Sequence, residues 1–184
     1  MQPLNIGLSS WIIQDGNYED FETEHEYRFA LEFRAMRVAA ASDRRSHLKP
    51  LEGSAYRFSG EIVLREPRLT VLDVGVLCYD EGEIHIPTSE RFARGELDLG
   101  VDPFFWIETH GKRSDVPNLF HKWRIREIRL ETTPVVATES SGRRILKRRP
   151  GVRSFSPIVR TNAWEDDNGD TNYVLTCDLL GPAS

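Results

Sequence analysis

Asp73, Asp98 and Asp102 are the carboxylates with the most chemical promise, because strands select against aspartate and all three lie in strongly apolar company. Brought together, two of them would form an acid/base pair, with one pKa raised by its neighbour. The same residues serve equally as solvated groups on a polar strand face, or as acceptors for loop amides near strand ends. No third catalytic group accompanies them, so a small hydrolase using these strand carboxylates ranks last among the functional readings. The five histidines, His25, His47, His85, His110 and His121, show no HxH, HxxxH or HExxH spacing, and no metal or other cofactor is expected. His121 shares a strand face with Trp123 and Ile125 and is read as a core or boundary histidine. Neither a GxSxG elbow nor a glycine-rich phosphate loop occurs. The acidic stretch Asp166-Asp167-Asn168-Gly169-Asp170 resembles a calcium loop but fails on register, since the first ligand position would fall on Trp164.

Charge offers a second kind of chemistry. Residues 143–160 hold Arg143, Arg144, Lys147, Arg148, Arg149, Arg153 and Arg160 with no acid, a charge of +7, and Phe155 supplies a ring for stacking. The alternating residues Lys122, Arg124, Arg126 and Arg129 extend the patch along a neighbouring strand face. Cationic grooves with aromatic rings bind single strands without reading sequence. The opposing reading is neutralisation within the fold by Asp15, Glu19, Asp20, Glu22, Glu24 and Glu26 of the N-terminal segment. Geometry decides: acids packed against the patch make it structural, while a bare face ringed by aromatics favours nucleic acid.

The elements that must position these groups are short strands. Prolines at 50, 67, 87, 103, 117, 134 and 150 leave little room for long helices. Tyr27, Phe29, Leu31 and Phe33 alternate with Arg28, Ala30, Glu32 and Arg34, which predicts a strand over about 26–38, although Phe29, Phe33, Met36 and Ala40 also share a helical face. Further strands are expected over 4–13, 55–64, 69–79, 83–86, 97–108 and 119–130. In the last of these the apolar phase jumps after Ile125 to Ile128 and Leu130, which places a β-bulge near Arg126-Glu127. One short helix is expected at Ser89–Arg94, with Thr88 as N-cap and Gly95 past its end. Asn168-Gly169 predicts a type I′ turn and a C-terminal hairpin over about 158–179, with Trp164 opposite Tyr173 and Asn162 opposite Leu175. Leu72-Asp73-Val74-Gly75-Val76 echoes Leu97-Asp98-Leu99-Gly100-Val101, the pattern of two equivalent barrel strands. Phe104-Phe105-Trp106 would put at least one ring on the far side of a strand, where a covering loop or the N-terminal segment is expected to bury it. The polar stretches 42–53 and 111–117 read as loops.

The expected fold is therefore all-β, a single-domain, partly open barrel or sandwich with at most one or two short helices. A chain of 184 residues with 39% hydrophobic and 29% charged residues can bury a core without staples. Cys78 and Cys177 lie in apolar contexts and read as buried free thiols. The N-terminus lacks a basic leader and no apolar run is long enough to span a membrane, so a cytoplasmic location is expected. The net charge of −5 argues against a nucleic-acid-coating protein, yet it conceals −7 over 1–142, +7 over 143–160 and −5 over 161–184. The leading functional reading is a non-catalytic binding module acting through protein contacts or self-association. The alternative is an oligonucleotide-binding barrel using residues 143–160 with Lys122, Arg124, Arg126 and Phe155.

Overall fold

The computed structural model describes residues 2–42, 44–81, 90–140, 143–149, 151, 153–166 and 171–182, with the backbone alone over 137–140 and 143–147. The fold is all-β, a closed five-stranded barrel with added strands. Its ring is β1 (Leu4–Ser9), β8 (Phe92–Val101), β3 (Leu31–Ala40) running on from β2 (Glu26–Phe29), β9 (His121–Glu131) and β13 (Asn172–Pro182). β2 pairs with β9 and so closes the circle. β1 and β8 run parallel, and the other ring pairs are antiparallel.

Outside the ring, β5 (Ala55–Glu66) pairs with the first half of β8 and carries β4 (His47–Pro50) and β6 (Leu69–Asp73) on its other edge; β7 (Leu77–Asp80) joins β6 to β3. β10 (Val135–Ser140) and β11 (Arg143–Arg148) form a separate ribbon, and β12 (Phe155–Ile158) lines the edge of β9. Helix is confined to α1 (Ser10–Gln14) and one π-helical turn, Trp106–His110, among the described residues.

Alternation explains the core. Phe29, Leu31 and Phe33 point inward with Leu97, Leu99, Ile125, Leu175 and Cys177, while Glu32 and Arg34 take the outer face. The strand expected over 26–38 is thus present, interrupted only at Ala30, which packs in a second apolar cluster with Leu69, Val71, Tyr79, Trp106 and Leu119. Both cysteines are buried free thiols whose pKa values burial pushes up. The bulge expected near Arg126 is present: Thr176 pairs with Glu127 and Cys177 with Ile125, leaving Arg126 as the extra residue. No described helix is long and apolar enough to cross a membrane.

Five expectations are corrected. Phe92–Arg94 belong to β8 rather than to a helix, and Gly95 continues the strand because the Arg37 carbonyl lies where its side chain would be. β13 sits between β1 and β9, so Tyr173 faces Leu8 and Leu130, and Leu175 faces Ile6 and Ile128, not the 158–164 segment. The barrel's own edges outcompete a local hairpin; Asn168 and Gly169 themselves lie outside the described residues, as does the strand expected over 83–86. The echo at 72–76 is not an equivalent strand, since β6 ends at Asp73 and Gly75 turns the chain at φ 98°. The strand expected over 97–108 stops at Val101, so Phe104 and Phe105 lead into the helical turn; Trp106 is buried while Phe105 stays 38% exposed. The stretch 42–53 also holds β4, added because β5 offers a free edge.

Candidate functional site

The three aspartates separate. Asp73 Oδ1 accepts a hydrogen bond from the Gly75 amide at 2.8 Å and fixes the turn after β6. Asp102, just past β8, is fully buried: its Oδ1 accepts from the Tyr79 hydroxyl and from the Trp106 amide at 3.2 Å, while Oδ2 is unpaired among the described residues. Burial raises its pKa, opposed by the Tyr79 hydroxyl and the amides of residues 104–106. Asp102 therefore latches the helical turn onto β7. Asp98 alone faces an open cleft.

That cleft, about 370 Å³, crosses the outer barrel face and is lined by Ser9, Glu32, Arg34, Asp98, Glu131 and Arg153 among others. It continues past Glu32 and Asp80 into a pocket of about 270 Å³ bounded by Trp11, Glu81 and Phe105. Register places Arg34 opposite Asp98 and Glu32 opposite Gly100, where a Cβ would lie 3.2 Å from Glu32 Oε1. Glycine there leaves the Glu32 side chain room to lie across β8. Burial pushes the Glu32 pKa up to about 7, with Asp102, Asp80 and Glu81 adding negative charge and Arg34 opposing. Glu81 is held 3.1 Å from His110. Trp11 is 52% exposed, so two rings stand in solvent beside a group of carboxylates.

Glu32 escapes sequence reasoning because it looks like one polar residue in an alternating strand; its place opposite a strand glycine, Gly100, is the signal that could have singled it out. Its raised pKa carries a stability consequence. A carboxyl whose folded pKa exceeds its unfolded value binds more protons when folded, so stability falls as pH rises between the two. Unfolding in urea should show the stability difference between the wild type and Glu32→Gln declining from pH about 4.5 to about 7, a comparison in which the contributions of Asp102 and His121 cancel. An unchanged profile in the variant would remove Glu32 as the source.

Six of the basic residues lie beside acids of the fold. Glu26 takes both Lys122, at 2.5 Å, and Arg124, at 2.9 Å, and these two contacts hold its carboxyl below its ordinary pKa. Arg126 pairs with Asp178, and Arg160 with Glu22 at 3.3 Å. Arg148 and Arg153 both approach the buried Glu131 at 3.6 Å, which ties the base of the β10–β11 ribbon to the barrel. The segment around Arg160 also runs along the N-terminal segment, with Thr161 and Ala163 bonded to Asp20. Phe155 is half-buried, with Arg129 5.6 Å over its ring. Arg149 is exposed. The side chains of Arg143, Arg144 and Lys147 lie outside the described residues. His121 is buried, which lowers its pKa against the opposing Leu77 carbonyl.

The chain matches no protein family, no curated protein and no solved structure.

Proposed function

We propose that this protein is a non-catalytic binding module that takes a cationic segment of a protein partner into the cleft on its outer barrel face. The observation that carries the reading is the exposure of Trp11 and Phe105 beside Glu32, Asp80 and Glu81. Aromatic faces attract a lysine or arginine side chain by about 0.5–2 kcal/mol, and a carboxylate adds a charge-assisted hydrogen bond. One side chain held this way gives weak affinity, so a segment with several cations, running along the cleft past Asp98, fits better than a free amino acid. Arg34 within the cleft favours partners that alternate basic with acidic or polar residues.

The oligonucleotide reading of residues 143–160 has less support, because Lys122, Arg124, Arg126, Arg148, Arg153 and Arg160 each have an acid beside them. Of the three strand aspartates a catalytic reading keeps only Asp98 in the cleft, since Asp73 and Asp102 are committed to turns. The cytoplasm suits two buried unbridged thiols. Titration with a lysine- and arginine-rich peptide, read at Trp11, tests the proposal.

A further inference from the structure

A second groove, about 480 Å³, lies on the outer face of β3, β8, β5 and β4, and its chemistry is opposite to that of the cleft. Strand register builds it. Ser59 of β5 is paired with His47 on one side and Arg94 on the other, and Arg57 and Arg37 both pair with Glu96. Because side chains alternate along a strand, His47, Arg57, Ser59, Arg94 and Arg37 all project from the face opposite the core residues Phe58, Ala93 and Leu97. Arg57 is 3.4 Å from Glu96; Arg37 and Arg94 form no ion pair among the described residues.

Ser59 supplies an independent sign. The residue lines the groove yet is only 4% exposed, and its hydroxyl is buried with no hydrogen-bond partner among the described residues. A buried unpaired hydroxyl is costly to keep unless something bonds to it. Around one groove stand three guanidinium groups, an imidazole and a hydroxyl against the single carboxylate of Glu96, an excess of donors that suits a phosphate dianion, which guanidinium forks recognise by paired hydrogen bonds. No exposed aromatic ring lines the groove to stack a base.

We infer that this groove binds the phosphate group of a small phosphorylated ligand, with Arg37 and Arg94 as clamps, Arg57 beside them and the Ser59 hydroxyl donating from the floor. The inference is independent of the cationic-partner reading, since the two sites share no residue. Inorganic phosphate is the probe, titrated into the whole protein by thermal shift and calorimetry, with chloride at matched ionic strength as control. Phosphate should raise the Tm saturably where chloride does not. Arg37→Gln with Arg94→Gln should weaken phosphate binding at least tenfold without loss of folding, since both side chains are exposed. Ser59→Ala should weaken it several-fold yet leave the Tm without phosphate unchanged or higher, a combination that a purely structural role for the hydroxyl would not give. Equal stabilisation by chloride, or wild-type phosphate binding in the double variant, would overturn the inference. Binding of an eight-residue oligothymidylate more than tenfold tighter than phosphate or a phosphomonoester would overturn the small-ligand assignment in favour of nucleic acid.

Discussion

Trp123→Ala is expected to lower the unfolding free energy by about 4 kcal/mol, the largest single effect in the molecule, because truncating a buried tryptophan removes its transfer energy and leaves a cavity. Trp123 is fully buried at the point where β2 meets β9, stacked 5.5 Å from Phe29, with its indole N–H donating to the Phe29 carbonyl at 3.1 Å. It thus joins two elements whose pairing closes the barrel. Trp123→Phe keeps most of the ring but loses the hydrogen bond, and should cost about 1–2 kcal/mol. Urea unfolding followed by far-ultraviolet circular dichroism measures both. A loss below about 1 kcal/mol for the alanine variant would mean that the β2–β9 seam contributes little to stability.

Gly95→Ala comes next, at about 3 kcal/mol, for a reason unrelated to backbone conformation. A Cβ at Gly95 would lie 1.7 Å from the Arg37 carbonyl oxygen, closer than any nonbonded contact allows, so β3 or β8 must move. The register between these strands slips between Ala35 and Arg37, and Gly95 is what lets the bulged backbone press against β8. Gly16→Ala is the contrast: its φ is +84° but nothing lies within 4 Å, so only conformational strain of about 1 kcal/mol is expected. Equal costs for the two variants would show that space at Gly95 is not limiting. Because the clash displaces Arg37, Gly95→Ala should also weaken phosphate binding in the β3–β8–β5–β4 groove.

Local periodicity made the all-β class, the inward row from Phe29 to Phe33 and the bulge at Arg126 legible, because each depends on side-chain alternation within one strand. Pairing was less legible. The hairpin expected around Asn168-Gly169 rested on turn chemistry, but β13 finds longer partners in β1 and β9, and the non-local edges win. Gly95 looked like a helix stop because sequence shows glycine's freedom and not the carbonyl that needs its missing side chain.

The sites divide along the same line. The separated charge blocks were visible, and so was their capacity to neutralise one another; Glu26 and Glu22 do lie against Lys122, Arg124 and Arg160. What decided the cleft was invisible in one dimension. Trp11 and Phe105 are 94 positions apart, and Glu32 belongs to a third element, yet the short helix after β1 and the turn latched by Asp102 bring them to one pocket. The basic groove has the same origin, since His47, Ser59, Arg94 and Arg37 meet only through strand register.

The most direct test of the central claim is fluorescence titration of Trp11 with a lysine- and arginine-rich peptide. Trp106 and Trp123 are buried and Trp164 is 68% exposed, so a Trp164→Phe background leaves Trp11 as the exposed indole. Saturable change in Trp11 emission with the basic peptide, none with an acidic peptide of equal length, and at least a fivefold weaker response in Glu32→Gln is the predicted result. Equal responses to both peptides, or a basic-peptide response unchanged by Glu32→Gln, would contradict the assignment of the cleft as a site for cationic partners.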